Sequence, residues 1–281
     1  DLIILHNDVE PILRVVALWA KEHDVPCLHV PHAIYIDSAE RTEIGTDVHD
    51  LVSATHLACA GDYQQQWYVD RGFPLEQTYK TGLPQFDVHA NNDVDRERAC
   101  RLLKIDPNKP IVVYASSWRQ DTNIMGCHDG VEQTYVAFVK AIKDQPVQAI
   151  IKLHPNANQQ SIKWHIDIAE QEKSNCIVTS KHLNVVLPCT DIMVSFGPSN
   201  ILLDASCFNA HLVCTHGYDN DDVVVKMGNE PTEEDIRKTI IDVLGTSRPS
   251  MENFRYKYCG VVDGQANKRI ANVVDELLDA K

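Results

Sequence analysis

Two stretches of the chain carry residue types suited to holding an anion. Lys152-Leu153-His154-Pro155 sets an ammonium and an imidazole two positions apart, and the run from Ser195 to Asp204 (Ser-Phe-Gly-Pro-Ser-Asn-Ile-Leu-Leu-Asp) offers hydroxyls and an amide where a helix is expected to begin. Each follows an apolar run that reads as a buried parallel strand, Val147 to Ile151 and Asp191 to Val194. In an open α/β sheet, ligands lie in the crevice at the carboxyl ends of the strands. The N–H groups of a helix start favour negative charge. Together the two stretches predict one diphosphate seat, with His154 donating to a phosphate, Lys152 adding charge, and Ser195, Ser199 and Asn200 donating to the diphosphate. Asp204, a turn beyond Asn200, can accept from a ribose hydroxyl. Each residue also has a purely structural reading: His154 ending a strand, Lys152 reaching solvent, Ser199 and Asn200 capping a helix.

His32 follows a second apolar run, Pro26 to Val30, and is the candidate general base, since an imidazole titrates near neutral pH. Asp8, Asp37 and Glu40 stand in reserve for that role, and a loop-positioning role for His32 is the alternative. His29, inside the apolar run, reads as a core residue. Arg119 can reach a phosphate through its planar fork or pair with one of 40 acidic side chains. Trp118 can stack on a base or sugar, although a packing role is the simpler reading. The polar loop Gln120 to Gly130 reads as a lid. Its Cys127-His128-Asp129 triplet cannot by itself close a metal site, and His211, Cys214 and His216 are poorly spaced for one; no metal or other cofactor is assigned.

Composition narrows the class. At 281 residues two domains are expected. The net charge of −14 disfavours nucleic acid and broad contact with anionic lipid, because both rely on clustered Lys and Arg. A single anionic small molecule stays compatible with that charge. No apolar run reaches the roughly 20 residues that span a bilayer, so membrane association, if any, is expected to be peripheral. Nine cysteines without close pairs point to a reducing, cytoplasmic setting. The abrupt opening, Asp-Leu-Ile-Ile-Leu-His, suggests a chain that continues upstream. GxxxxGK[ST], GxGxxG and GxSxG are all missing, which argues against a P-loop ATPase, a dinucleotide dehydrogenase and an ordinary serine hydrolase.

The elements that must position these residues alternate as strand and helix. The sequence predicts strands at 2–5, 26–30 and 57–60, and helices near 11–22, with Pro11 in the first turn, and 62–71, followed by a break in regular structure over Thr81 to Asp87. His89 to Asp95 reads as a linker and Val94 to Lys104 as a helix. A consistent βα order then runs through strands at 111–115, 147–154, 176–179, 192–195 and 211–215. Thr232 is expected to cap a helix with acidic residues in its first turn, and a last helix is expected from Gln265 to Leu278.

These landmarks, in order, resemble a known group. They are His32 after a strand, Thr81-Gly82-Leu83-Pro84-Gln85-Phe86-Asp87, Pro110 to Ala115, Lys152 to Pro155, Asp191 with Ser195 to Asp204, and Asp263-Gly264-Gln265-Ala266-Asn267-Lys268-Arg269-Ile270. The chain is similar to the GT-B group that includes CDP-glycerol glycerophosphotransferases and capsule-type glycosyltransferases, and more distantly to non-hydrolysing UDP-sugar 2-epimerases. It departs from the group in having Ser199-Asn200 where two hydroxyls are usual, and Ala33 after His32 where glycine is usual. The resemblance implies two Rossmann-like α/β domains with a cleft between them. Residues 1–90 would form an incomplete acceptor-side domain, and 94–281 a nucleotide-donor domain whose last helix returns to the first. The implied activity is transfer of a sugar or polyol phosphate from a CDP, CMP or UDP donor to a cell-surface polysaccharide or polyol-phosphate acceptor. The alternatives are a nucleotide-sugar epimerase, or a module that binds nucleotide or glycan without chemistry.

Overall fold

The computed structural model describes residues 1–6, 11–34, 52–117, 129–218 and 221–279. It divides into two compact units, one of residues 1–92 with 252–281 and the other of residues 93–251.

The first unit begins with β1 (Ile3–Leu5), α1 (Pro11–Glu22), β2 (Cys27–His29), β3 (His56–Cys59), α2 (Asp62–Val69), β4 (Thr78–Lys80) and α3 (Pro84–Ala90). Its strands lie side by side in chain order, β1-β2-β3-β4, all parallel. Parallel strands need both faces covered, and alternate residues supply the two cores. Leu5, Cys27 and Leu57 pack with Ala17, Ala20 and Tyr68 on one face. Leu28 and Ala58 face the other way, onto Val273 and Leu277.

The second unit runs through α4 (Arg96–Leu103), β5 (Ile111–Ala115), α5 (Asp129–Ala141), β6 (Gln148–Lys152), α6 (Gln159–Gln171), β7 (Ile177–Thr179), α7 (Leu183–Val186), β8 (Ile192–Ser195), α8 (Asn200–Ser206), β9 (His211–Cys214), β10 (Val224–Lys226) and α9 (Glu233–Leu244). Its six parallel strands are ordered β10-β9-β8-β5-β6-β7. Counted within the unit this is 3-2-1-4-5-6, the Rossmann order, and the winding reverses between β5 and β8. Central strands carry unbroken apolar runs: β5 is Ile-Val-Val-Tyr-Ala and its first four residues are fully buried. At the amino ends of these strands Asp191 accepts from both terminal nitrogens of Arg96 (3.1 and 2.9 Å), from the Ile111 N–H (2.8 Å) and from Arg248. The landmark Asp191 is thus a staple at the end of the sheet away from the predicted seat. Thr232 and Asp235 form a reciprocal capping box at α9.

The chain then returns to the first unit as α10 (Glu252–Cys259) and α11 (Ala266–Asp279). Two sequence landmarks meet here. The buried Asp87 carboxylate accepts from the N–H groups of Ala266 (2.9 Å) and Asn267 (2.8 Å) and from the Asn267 amide (3.1 Å), so it caps α11 from 179 residues away. Arg269 donates to the Thr81 carbonyl (2.7 Å) and holds Asp263 with two nitrogens (2.9 and 3.0 Å). Gly260 lets α10 seat: its φ is +70°, and a Cβ there would lie 2.0 Å from the Ala60 carbonyl oxygen.

Several expectations need correction. The stretch Thr81 to Asp87 does not simply break structure, because Pro84 opens α3, where its missing N–H costs nothing. That helix takes His89 and Ala90 out of the predicted linker. The helix predicted from Val94 starts at Arg96, since Asp95 caps it by accepting from the Arg98 N–H (2.7 Å). Strand β2 ends at His29, so His32 stands three residues past the strand rather than at its tip. The strands β4 and β10 and the helix α10 are additions to the sequence reading.

Candidate functional site

The switch point of the second unit lies between the carboxyl ends of β5 and β8, and the predicted donor residues follow β6 and β8, the two neighbours of β5. Ser116, directly after β5, is buried; its N–H donates to the Lys152 carbonyl (2.9 Å) and its hydroxyl accepts from the His154 N–H (2.8 Å). Those two bonds lock the end of β5 to the end of β6. Nδ1 of His154 accepts from the Asn156 N–H (3.2 Å). The proton of the neutral ring therefore sits on Nε2, as a donor suited to an anion. Lys152 is 6% exposed and donates from Nζ to the Leu153 carbonyl.

The loop after β8 is closed on itself. The Ser195 hydroxyl, 2% exposed, donates to the Gly197 carbonyl (2.9 Å), which spends it on shaping the turn. The Gly197 N–H donates to Thr215 Oγ1 (2.9 Å) at the end of β9. Ser199 is the N-cap of α8, with its hydroxyl 3.5 Å from the Ile201 N–H, and its carbonyl accepts from the Tyr218 hydroxyl (3.0 Å). Asn200 is half-buried at the first position of α8, and Asp204 is buried inside that helix.

The structure thus gathers His154 and the Ser195–Asn200 loop at one edge of one sheet. Lys152, Ser195 and Asp204 are buried. Sequence reasoning missed Ser116 and Thr215, whose signal was modest: a hydroxyl residue directly after an apolar strand run. Arg119, Trp118, Asp8, Asp37 and Glu40 lie outside the described residues, as does most of the Gln120–Gly130 loop.

In the first unit, His32 is exposed at the carboxyl ends of β1 and β2. It borders a depression of about 400 Å³ lined by Leu5, His6, Pro31, Pro84 and Gln85 among others. The His6 carbonyl lies 3.3 Å from His32 Nδ1 and 3.3 Å from His29 Nε2. A carbonyl only accepts, so His32 carries its proton on Nδ1 and presents the Nε2 lone pair, the form a general base requires. His29 is 3% exposed and belongs to the core. Among the described residues no group of three or more His, Cys, Asp or Glu side chains is placed to hold a metal ion. No helix there is long and apolar enough to cross a membrane.

A family model described as CDP-Glycerol:Poly(glycerophosphate) glycerophosphotransferase matches residues 21–196, well over half of the chain. No curated protein matches. Among solved structures, the wall teichoic acid polymerase TagF aligns with a TM-score of 0.59 at 13% identity, over 92% of this chain and 70% of TagF. MnaA of S. aureus, solved with UDP, gives 0.69 at 14% identity over 99% and 76% of the two chains. The UDP-GlcNAc 2-epimerase of Methanocaldococcus jannaschii, solved with UDP-GlcNAc and UDP, gives 0.67 at 12% identity over 92% and 72%. At such identities these structures establish the fold, GT-B with Rossmann-like α/β units, while the family match carries the kinship. The chain belongs to the CDP-glycerol:poly(glycerophosphate) glycerophosphotransferase family.

Proposed function

We propose that this protein transfers a polyol phosphate or sugar from a nucleotide-activated donor to a cell-surface polymer. The family's description favours CDP-glycerol as donor and a poly(glycerophosphate) chain as acceptor, and CMP- and UDP-activated donors are the other members of the same class. The second unit takes the donor: His154 donates from Nε2 to the diphosphate, with Ser199, Asn200 and the N–H groups of their loop beside it and Lys152 supplying positive charge. Ser195 shapes the loop, Asp204 accepts from the ribose, and Arg119 is a further phosphate ligand. The first unit takes the acceptor, with His32 as base and Asp8 or Asp37 in reserve.

In the transfer of a polyol phosphate, the acceptor hydroxyl oxygen bonds to the donor's distal phosphorus as His32 Nε2 takes its proton. The bond from that phosphorus to the bridging oxygen breaks, and the nucleoside monophosphate leaves with the electron pair. Donors fixed around the leaving phosphate stabilise the charge that builds there. The observation that carries the reading is the His154 ring, pinned through Nδ1 after β6, the strand next to the Rossmann switch point, and so committed to donating from Nε2. The net charge of −14 disfavours nucleic acid and stays compatible with a single small anionic ligand, and the lack of any disulfide among the described cysteines supports a cytoplasmic setting.

An epimerase is the second reading, favoured by the TM-score of 0.67 to the UDP-GlcNAc 2-epimerase of Methanocaldococcus jannaschii. Incubation with CDP-glycerol, other CDP and CMP donors and UDP-N-acetylglucosamine, with and without a poly(glycerophosphate) acceptor, separates the readings. Nucleoside monophosphate release that depends on acceptor supports phosphotransfer. Sugar inversion without acceptor moves the protein to the epimerases, and nucleotide-dependent melting without turnover makes it a binding module.

A further inference from the structure

His211, Cys214 and His216 were too badly spaced for a metal, and the function above leaves His216 unused. Its surroundings give it a defined protonation. Thr215 is 1% exposed, and its hydroxyl has two partners, the Gly197 N–H at 2.9 Å and His216 Nδ1 at 2.8 Å. The hydroxyl accepts from Gly197, so its single hydrogen has His216 Nδ1 as its acceptor. A buried hydroxyl keeps its hydrogen bonded, which places the proton of the neutral imidazole on Nε2, as in His154.

That Nε2 lies against the backbone of the loop after β8. Gly197 has φ +67°, and a Cβ built on it would come within 2.8 Å of His216 Nε2 and 2.9 Å of Cε1. Only glycine permits both the backbone conformation and this approach. Phe196 holds the ring from another side, edge-on at 5.5 Å between centroids, and a Cβ added at Gly130 in α5 would meet the Phe196 ring at 3.6 Å. His216 is half-buried, just past the carboxyl end of β9.

We propose that His216 is a second neutral imidazole donor for the donor's diphosphate, reaching it from the β9 side as His154 does from the β6 side. The inference rests on the donor-site reading above and adds a residue to it. The relay from Gly197 N–H through Thr215 Oγ1 to His216 Nδ1 would couple the shape of the phosphate loop to the tautomer of its ligand. Thr215 is then a positioning residue, acting through His216.

The test uses CDP as probe and the full chain. Calorimetry of the wild type, His216→Phe and His154→Ala is paired with ¹⁵N NMR of the histidine side chains. Phenylalanine keeps the ring against Phe196 and Gly197 but removes the N–H, and His216→Gln restores a donor. The expected result is roughly 10-fold or greater weakening in His216→Phe, partly recovered in His216→Gln. CDP should also shift the His216 Nε2–H signal, and Thr215→Val should disturb the tautomer of the free protein. CDP binding that depends on His154, is unchanged in His216→Phe and leaves the His216 signals in place overturns this inference alone. If the wild type does not bind CDP, the donor-site reading falls and this inference with it. A wild-type His216 protonated on Nδ1 overturns the relay by itself, whatever the nucleotide does.

Discussion

Replacing Asp87 by alanine tests whether two sequence landmarks, Thr81–Asp87 and Asp263–Ile270, are one structural device. The carboxylate is 5% exposed and accepts three hydrogen bonds at the start of α11, at 2.8, 2.9 and 3.1 Å. Bonds to a charged group contribute about 1.5–3 kcal/mol each, and removing a helix cap costs about 0.5–2 kcal/mol. The losses are not additive here, because Asn267 is exposed and its donors can turn to water, whereas the Ala266 N–H stays buried with nothing to bond. A net loss of roughly 2–4 kcal/mol follows, or on the order of 6–16 °C in Tm for a unit of this size. Asp87→Asn keeps one acceptor oxygen and should lose roughly half as much. Scanning calorimetry measures the loss, and amide hydrogen exchange localises it, with residues 266–269 exchanging faster. CDP affinity should stay within about twofold, since Asp87 lies in the other unit from the donor site. A Tm unchanged within error, with slow exchange retained at Ala266 and Asn267, would refute the capping argument.

Other outcomes follow from burial. Burial pushes the Cys59 thiol up to about 12, so the folded chain keeps a proton that the unfolded chain releases above about pH 8.5. Stability is therefore full below that pH and declines as pH rises toward the folded value, by up to about 1.4 kcal/mol per pH unit. Denaturant melts of Cys59→Ala should show a shallower alkaline decline than wild type. His211 is shifted the other way, with burial first and Arg248 second holding its pKa below the ordinary value. Its contribution is present above about pH 6.5 and is lost as pH falls through the lowered value, so His211→Gln should flatten the acid limb of a stability profile. Gly260→Ala forces a Cβ into the Ala60 carbonyl at a left-handed φ, and should cost roughly 3–5 kcal/mol. Wild-type melting of that variant would show that α10 can re-seat.

The legible parts of the fold were those with an unbroken physical signal. The central strand β5 is an apolar run of five, β6, β8 and β9 each hold three consecutive apolar residues, and their βα alternation could be read without further help. The strands β4 (Thr-Tyr-Lys) and β10 (Val-Val-Lys) are three-residue segments with no alternation to detect. The amphipathic signal of α10, Glu-Asn-Phe-Arg-Tyr-Lys-Tyr-Cys, is weak because its polar and aromatic residues interleave. Pro84 was ambiguous in sequence, since a proline that ends one element also suits the first turn of the next. At the site, His154 and the Ser195–Asn200 loop could be found because they follow strands. Their partners could not, because Ser116 reaches His154 across 38 positions and Thr215 reaches Gly197 across 18. Asp87 and the start of α11 are separated in sequence by the whole second unit, so a resemblance could mark both landmarks without revealing that they bond to each other.

The central claim is a division of labour between His154 on the donor and His32 on the acceptor, and one paired measurement tests it. CDP-glycerol affinity and the rate of CMP release to a poly(glycerophosphate) acceptor are compared in the wild type, His154→Ala and His32→Ala. Losing His154 should weaken the nucleotide by roughly 10- to 100-fold, the value of a hydrogen bond to a charged group. Losing His32 should leave that affinity nearly constant while turnover falls by roughly 100-fold or more. Unchanged nucleotide affinity in a folded His154→Ala protein, or full turnover without His32, would contradict the account.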